Sequence, residues 1–251
     1  MNTQTAENKV VSPQEWIMAR KELLAKEKEL TRLRDELSRR RRELPWEKVE
    51  KQYVFEGPNG RETLADLFDG RSQLIIYHFM FGPDWKEGCP SCSLIADHLG
   101  GSVVHLAQRD VTLLAVSRAR LPQIQEFQQR MGWRFKWVSS NENDFNRDYR
   151  VTFTKDEMAQ GKVEYNYGLH DYPNEEAHGV SVFYKDANGD IFHTYSTYGR
   201  GPEEMLGIYT YLDWTPKGRD EEGLPYPMAW VRHHDRYEKT PAAAACCAGH
   251  S

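Results

Sequence analysis

Hydrophobic residues recur every seven positions in the N-terminal part of the chain. The series is Trp16, Leu23, Leu30, Leu37 and Leu44. This spacing aligns one residue of every two helical turns, but the second seam position of a coiled coil alternates between apolar and charged residues, namely Ala, Lys, Leu and Arg. We therefore expect one long helix that packs along its own domain or against the same helix of a second copy, as a homodimer.

The ends of this helix are marked by residues that favour helix boundaries. Ser12 can act as N-cap, Pro13 suits the first helical position, and Glu15 can complete a capping box. Pro45 ends the pattern, because proline cannot continue a helix without losing a backbone hydrogen bond. The sequence therefore predicts a helix over residues 11–44.

Two nearly continuous apolar runs, at 74–81 and 111–117, follow further along the chain. Such runs are typical of strands buried on both faces of a mostly parallel sheet. Between them the pattern predicts a helix over 93–99, which Gly100 and Gly101 should end.

The second half of the chain continues the alternation and closes with a hairpin. "LPQIQEFQQRMGW" is an amphipathic helix pattern and "FKWVSS" a short strand, while residues 141–172 are polar and irregular. "VSVFYKDANGDIFHTYST" predicts two strands around an Asn-Gly turn. The order strand, helix, strand, helix, strand and antiparallel hairpin indicates an α/β domain with a mixed sheet.

The composition is that of a globular protein with a slight excess of acidic residues. Of the 251 residues, 39% are hydrophobic and 28% charged, with a net charge of −5. A negative charge does not attract a polyanion, and we interpret the basic run at 39–42 as a solvated helix face. No stretch approaches the roughly 18 apolar residues of a membrane span, and no secretory signal is evident. We expect a cytoplasmic protein with no nucleic-acid or membrane partner.

Two of the four cysteines, Cys89 and Cys92, lie three positions apart at the expected start of a helix. This spacing places both on one helix face, and Pro90 suits the first helical position. The free N–H groups and the dipole at a helix N-terminus stabilise a thiolate, which lowers the pKa of the thiol. The pattern favours thiol–disulfide chemistry in which Cys89 is the nucleophile and Cys92 resolves the mixed disulfide.

Two other interpretations of this cysteine pair (Cys89 and Cys92) remain open. It is half of a zinc or copper site if remote ligands complete it. The candidate remote ligands are His233, His234, Cys246, Cys247 and His250. The two C-terminal cysteines, Cys246 and Cys247, could instead pass electrons to Cys89. In the other interpretation the pair is idle, and the protein is a binding module.

Several segments resemble those of a known fold. "TLADLFDGRSQLIIYHFMFGPDWKEGCPSCS" is similar to the lead-in, central strand and cysteine turn of thioredoxin-like and peroxiredoxin-like proteins. "MGWRFKWVSS" and "DWTPKGRDE" resemble a bacterial thioredoxin-like family of unassigned function. The resemblance implies an α/β fold, with a thioredoxin-like mixed β-sheet flanked by helices and a long N-terminal helix.

The resemblance also implies a division of the chain. Residues 1–50 would form the N-terminal helical extension, residues 51–237 the thioredoxin-like domain, and residues 238–251 a disordered tail. An external dithiol or a protein reductant would be the redox partner.

Two departures from the related proteins concern the site. Thioredoxins carry a cis-proline just before the closing strands, whereas "AHGVSVF" has none. Peroxiredoxins have a proline and a hydroxyl residue at fixed positions before the reactive cysteine. Here Pro83 stands six residues before Cys89, and Lys86 and Glu87 occupy the place of the hydroxyl, so peroxidase chemistry by that mechanism is not expected.

Other residues are candidates for contact with a substrate. Trp85 and Pro90 flank Cys89 in sequence, and the fold would bring His178, Gly179 and Val180 near it.

The tyrosine-rich stretch "YNYGLHDY" offers a further candidate surface. Tyr165, Tyr167 and His170 either line a pocket or pack over a sheet edge.

Overall fold

The computed structural model describes residues 8–238. Its centre is an eight-stranded mixed sheet with helices on its faces. The helices are α1 (Pro13–Arg42), α2 (Pro90–Ala107), α3 (Leu121–Arg130), α4 (Phe145–Asp148), α5 (Lys155–Ala159) and α6 (Gly207–Asp213). The strands are β1 (Glu47–Lys48), β2 (Val54–Gly57), β3 (Gly60–Thr63), β4 (Gln73–His78), β5 (Val111–Ser117), β6 (Trp137–Ser139), β7 (Val163–Tyr165), β8 (Gly168–His170), β9 (Gly179–Lys185) and β10 (Ile191–Tyr198). The predicted α/β class with a long N-terminal helix is confirmed.

The order of strands in the sheet is β1-β10-β9-β4-β5-β6-β2-β3. β4 and β5 are parallel and are connected through α2, and β6 continues the parallel part beside β5. β9 pairs with the other side of β4 in the antiparallel sense, and β10 pairs antiparallel with β9. A β-α-β unit with an antiparallel hairpin beside its first strand is the thioredoxin-like arrangement that the resemblance implied.

Each face of the sheet has its own buried cluster, because successive side chains of a strand point to opposite faces. Along β4, Tyr77 belongs to the cluster that includes α2 and α3, whereas Leu74 and Ile76 belong to the cluster on the other face. The apolar runs predicted as doubly buried strands therefore fill both sides of the sheet.

The predicted end of α2 at Gly100 and Gly101 is wrong. The helix continues through both glycines to Ala107. Each glycine in a helix interior costs about 1 kcal/mol relative to alanine. Val103 and Leu106 nevertheless pack against the buried cluster beyond this point, and their burial outweighs that cost.

The segment predicted as irregular holds several short elements, namely α4, α5 and the separate hairpin of β7 and β8. At the turn of this hairpin Asn166 and Tyr167 have φ values of 49° and 62°. Two left-handed residues in succession suit the twist of a two-residue hairpin turn.

The long helix α1 begins at the predicted capping box of Ser12 and Glu15. It buries no residue. Near its C-terminal end, Arg41 pairs with Glu204 at 3.1 Å and lies over the ring of Tyr195. No helix within residues 8–238 has the length and apolar character needed to cross a bilayer.

The proposed domain boundaries stay predictions. β1 follows α1 directly and pairs with β10 at the edge of the sheet. The predicted tail 238–251 lies outside the described residues, apart from Glu238.

Candidate functional site

The cysteine pair lies where the central strand β4 leads into α2. Cys89 is the N-cap residue of α2, and Pro90 is the first helical residue, as predicted. The backbone N–H of Cys89 donates to the carbonyl of Met80 at 3.0 Å, and the N–H of Ser93 donates to the carbonyl of Cys89 at 2.9 Å. These bonds fix the loop and the first helical turn around the thiol.

The two thiols are free and differ in exposure, since Cys89 is partly exposed and Cys92 is buried. A hydrogen bond from the Cys92 thiol, helped by the backbone N–H groups of Cys92 and Ser91 and by the Ser91 hydroxyl, lowers the pKa of Cys89 to about 7. Burial opposes this shift. For Cys92, burial and the neighbouring Cys89 sulfur raise the pKa well above its ordinary value.

Tyr77 of β4 lies in the same buried cluster as Cys92, on the face of the sheet that α2 covers. Its side chain is fully buried, and its hydroxyl has no hydrogen-bond partner within the described residues. Burial, followed by the Cys92 sulfur, raises the pKa of Tyr77 well above 10. Sequence reasoning missed this residue, although a tyrosine within a buried apolar run was a signal.

A cluster of aromatic side chains from the β7–β8 region packs around Tyr165. Tyr165 packs against Tyr172 and Tyr198, with ring centroids 5.0 and 5.6 Å away. Burial is the main cause that raises the pKa of Tyr172, and the nearby sulfurs of Cys92 and Cys89 also raise it. The Tyr172 hydroxyl is therefore within electrostatic reach of both sulfurs.

Among the predicted pocket residues of this segment, only Tyr165 is buried. Its hydroxyl donates to the carbonyl of His178 and accepts from the N–H of Gly199, both at 2.8 Å. Tyr167 and His170 are exposed. The three side chains do not form one pocket, and the sequence signal for Tyr172, in the same stretch, was overlooked.

His178, Gly179 and Val180 lie at the start of β9, beside the end of β4. Gly179 is paired with His78, and Val180 with Tyr77. His178 precedes them, at the level of the loop that leads to Cys89.

The ring of His178 forms a hydrogen bond with the protein backbone. Its Nε2 lies 2.8 Å from the carbonyl of Gly199, so this nitrogen carries the proton. Burial lowers the pKa of His178, which keeps the ring neutral. No cis peptide bond occurs within residues 8–238.

Gly179 is required for close packing rather than for access to solvent. A Cβ at Gly179 would lie 2.5 Å from the ring of Tyr198. Because that contact is far below a van der Waals distance, a larger residue would displace the tyrosine.

Trp85 packs in the loop before the cysteine pair. Its ring lies over Gly82, where an added Cβ would stand 3.0 Å from the indole. The side-chain amide of Gln123 donates to the carbonyls of Pro83 and Trp85 at 3.3 and 3.4 Å. The indole therefore packs on the loop that leads to Cys89.

The segment 231–236, which includes the candidate ligands His233 and His234, packs against the same loop. His233 is buried, and its Nε2 donates to the carbonyl of Gly88 at 2.9 Å, while its Nδ1 accepts from Arg130 at 3.0 Å. His234 bonds to Asp97 at 2.7 Å. Both rings are engaged in contacts that hold the chain beside Cys89.

A metal site was the alternative use of these side chains. Within residues 8–238, no group of three or more His, Cys, Asp or Glu side chains is placed to hold a metal ion. The remaining candidate ligands Cys246, Cys247 and His250 lie outside the described residues.

The fold and site define the class of this protein, an α/β protein of thioredoxin-like fold with a cysteine pair at the start of the helix that follows its central strand. The chain belongs to a bacterial family of unknown function, DUF899, whose model matches residues 5–237. The family-level resemblance seen in the sequence is therefore confirmed. No curated protein matches the chain significantly.

Solved structures with similarity to the chain include peroxiredoxins and a thiol:disulfide interchange protein. PrxQ of Xylella fastidiosa, a cysteine-to-serine mutant, is 15% identical, with 66% of this chain and 94% of that chain covered and a TM-score of 0.45. Peroxiredoxin Q of Xanthomonas campestris is 12% identical, with coverages of 69% and 99% and a TM-score of 0.47. A putative DsbE of Chlorobium tepidum is 13% identical, with coverages of 66% and 94% and a TM-score of 0.41.

Proposed function

We propose that the protein is a thiol–disulfide oxidoreductase in which Cys89 attacks and Cys92 resolves. The observation that carries this proposal is the contrast between the two thiols at the start of α2. Cys89 is partly exposed and has a pKa of about 7, whereas Cys92 is buried and has a raised pKa. A thiol with a pKa near ambient pH is the best compromise between thiolate fraction and nucleophilicity.

The proposed reaction reduces a substrate disulfide in two exchange steps. The Cys89 thiolate attacks one substrate sulfur, the substrate S–S bond breaks, and the departing thiolate takes up a proton. Cys92 then loses its proton and attacks the Sγ of Cys89, which releases the second substrate thiol. The substrate gains two electrons, and the protein is left with a Cys89–Cys92 disulfide.

The cycle requires a partner that returns two electrons to the protein. An external dithiol or a protein reductant would attack the Cys89–Cys92 disulfide and leave as a disulfide itself. The partly exposed Cys89 is the sulfur that such a partner can reach, because Cys92 is buried.

The first test measures the alkylation rate of Cys89 as a function of pH, with each cysteine identified by peptide mass spectrometry. We expect a midpoint near pH 7, whereas an unperturbed thiol has a pKa of about 8.5. Cys92→Ala is the informative variant, because it removes the thiol donor and should move the midpoint of Cys89 to higher pH.

A midpoint at the value of an ordinary thiol, together with no Cys89–Cys92 disulfide in an oxidising glutathione buffer, would exclude the reaction. It would leave the hypothesis of a binding module with an idle pair.

The metal-binding alternative is tested separately. Elemental analysis of protein purified without added metal or a chelating resin should find no stoichiometric zinc, copper or iron. A stoichiometric metal would instead favour a site that uses the thiolates as ligands.

A further inference from the structure

We propose that Tyr77 is a catalytic residue of this site, whose buried hydroxyl donates a hydrogen bond to the sulfur of Cys92 when that cysteine becomes a thiolate. This inference rests on the proposed function and adds to it the group that makes the buried cysteine reactive.

The placement of Tyr77 follows from the register of the sheet. It pairs with Ala115 of β5 and with Val180 of β9, so its neighbours along the sheet are apolar. α2 covers the same face and carries Cys92, which is 2% exposed. Cys92, Cys89 and Tyr165 are the titratable groups that act on the Tyr77 hydroxyl, and Cys92 acts most strongly.

Packing alone does not account for this hydroxyl. A buried hydroxyl without a partner is unfavourable, because it loses its hydrogen bonds to water and gains none. The same cluster contains Phe79, Phe81 and Phe127, so phenylalanine is well accommodated in this core. An unpartnered polar atom in a native core calls for an explanation other than stability.

The second exchange step supplies that explanation. Cys92 must attack as a thiolate, yet burial raises its pKa, and the Tyr77 hydroxyl is a group that lowers it. The raised pKa of Tyr77 keeps the phenol protonated, so that it donates and does not compete for the proton.

The atoms and electrons of the step balance without a contribution from Tyr77 other than this hydrogen bond. The proton of Cys92 leaves with the departing substrate thiolate. The Cys92 sulfur forms a bond to the Sγ of Cys89, and the bond between Cys89 and the substrate breaks. Tyr77 keeps its proton throughout.

The test uses Tyr77→Phe, which removes only the hydroxyl, in full-length protein with Cys246 and Cys247 changed to serine. Oxidised glutathione is the probe, and intact-protein mass spectrometry of acid-quenched samples follows the glutathione adduct. We expect adduct formation at Cys89 to be unchanged. Decay of the adduct to the Cys89–Cys92 disulfide should slow by about tenfold or more, since a hydrogen bond to a charged group is lost.

Two further readouts separate this role from a structural one. The pH profile of adduct decay should move to higher pH in Tyr77→Phe, and its melting temperature should be equal to or above that of the parent. The matched control is Tyr53→Phe, whose hydroxyl donates to Asp148 at 2.8 Å. This control should leave adduct decay unchanged.

The failures of the two proposals are distinguishable. If the parent protein forms neither an adduct at Cys89 nor a Cys89–Cys92 disulfide, the proposed function is wrong. If the parent completes the cycle and Tyr77→Phe resolves the adduct at the same rate, only the role of Tyr77 is wrong. A lower melting temperature for Tyr77→Phe would also overturn it, because the hydroxyl would then be structural.

Discussion

Cys89 and Cys92 differ because one turn of helix gives them different surroundings. A hydrogen bond from the Cys92 thiol, together with the backbone N–H groups of the N-terminal turn, lowers the pKa of Cys89 to about 7. Cys92 points into the core beside Tyr77, and its pKa rises. The sequence predicted the helix N-terminus around Cys89, because that environment is formed by neighbouring residues. It did not predict the buried environment of Cys92, because Tyr77 belongs to another element, β4.

A second buried group, His78 of β4, makes stability depend on pH. Its Nε2 lies 2.9 Å from the hydroxyl of Ser181, and its Nδ1 has no partner within the described residues. Burial lowers the pKa of His78 from 6.5 to about 3. The folded protein therefore holds this ring neutral where an unfolded chain would protonate it.

We expect His78 to reduce stability in acid between pH 6.5 and about 3. In this window the unfolded state binds the extra proton, so the free energy of unfolding falls by up to about 1.4 kcal/mol per pH unit from this group. Above pH 6.5 the contribution is constant. Urea unfolding at several pH values should show a shallower decline for His78→Gln, while His105→Gln, at an exposed position, should follow the parent. An equal decline in His78→Gln would contradict the assignment.

At the scale of elements, α2 shows where local signals compete with packing. Gly100 and Gly101 indicated a helix end, and the helix passes through both. The apolar residues beyond them continue the buried face, which the local rule did not weigh. The hairpin of β9 and β10 was predicted because its turn chemistry and its apolar pattern agree.

Alanine at Gly100 or Gly101 should stabilise the protein. Both glycines are exposed, and a Cβ at either position would meet nothing within 4 Å. We expect each change to raise the free energy of unfolding by about 0.5–1 kcal/mol, measured by urea denaturation. Gly88→Ala is the contrasting variant, since its Cβ would lie 2.5 Å from the ring of Phe79, and it should destabilise. A loss of stability in Gly100→Ala would show that the helix does not continue there.

At the scale of the whole molecule, α1 is a 30-residue helix that buries no residue against its own chain. Helices in proteins gain most of their stability from packing an apolar face. The exposed large apolar side chains of this helix are Trp16, Ile17, Met18, Leu23, Leu24, Leu30, Leu33 and Leu37. We propose that a second copy of the chain covers the stripe formed by Trp16, Leu23, Leu30 and Leu37, and that the protein is a homodimer through α1.

The dimer is tested by analytical ultracentrifugation. We expect the parent protein to sediment as a dimer and the double variant Leu23→Glu and Leu30→Glu to sediment as a monomer with an unchanged fold. Lys21→Glu and Lys28→Glu, which lie on the side of the helix opposite to Leu23 and Leu30, form the control and should remain dimeric. A monomeric parent protein at micromolar concentration would rule out this role for α1.

The sequence by itself determined the elements that local chemistry specifies. The capping box placed the start of α1, the apolar runs indicated β4 and β5, and Pro90 indicated a helix that begins next to Cys89. Each of these depends on residues within a few positions of one another.

Only the tertiary structure decided what surrounds the cysteine pair. Tyr77, Tyr172 and His233 come from three separate segments, and the order of the strands and the path of the chain after β10 bring them to one site. Local patterns carry no record of contacts between distant segments, because such contacts depend on which faces of the sheet and helices pack together. The thiol chemistry was therefore visible in the sequence, whereas the groups that tune it were not.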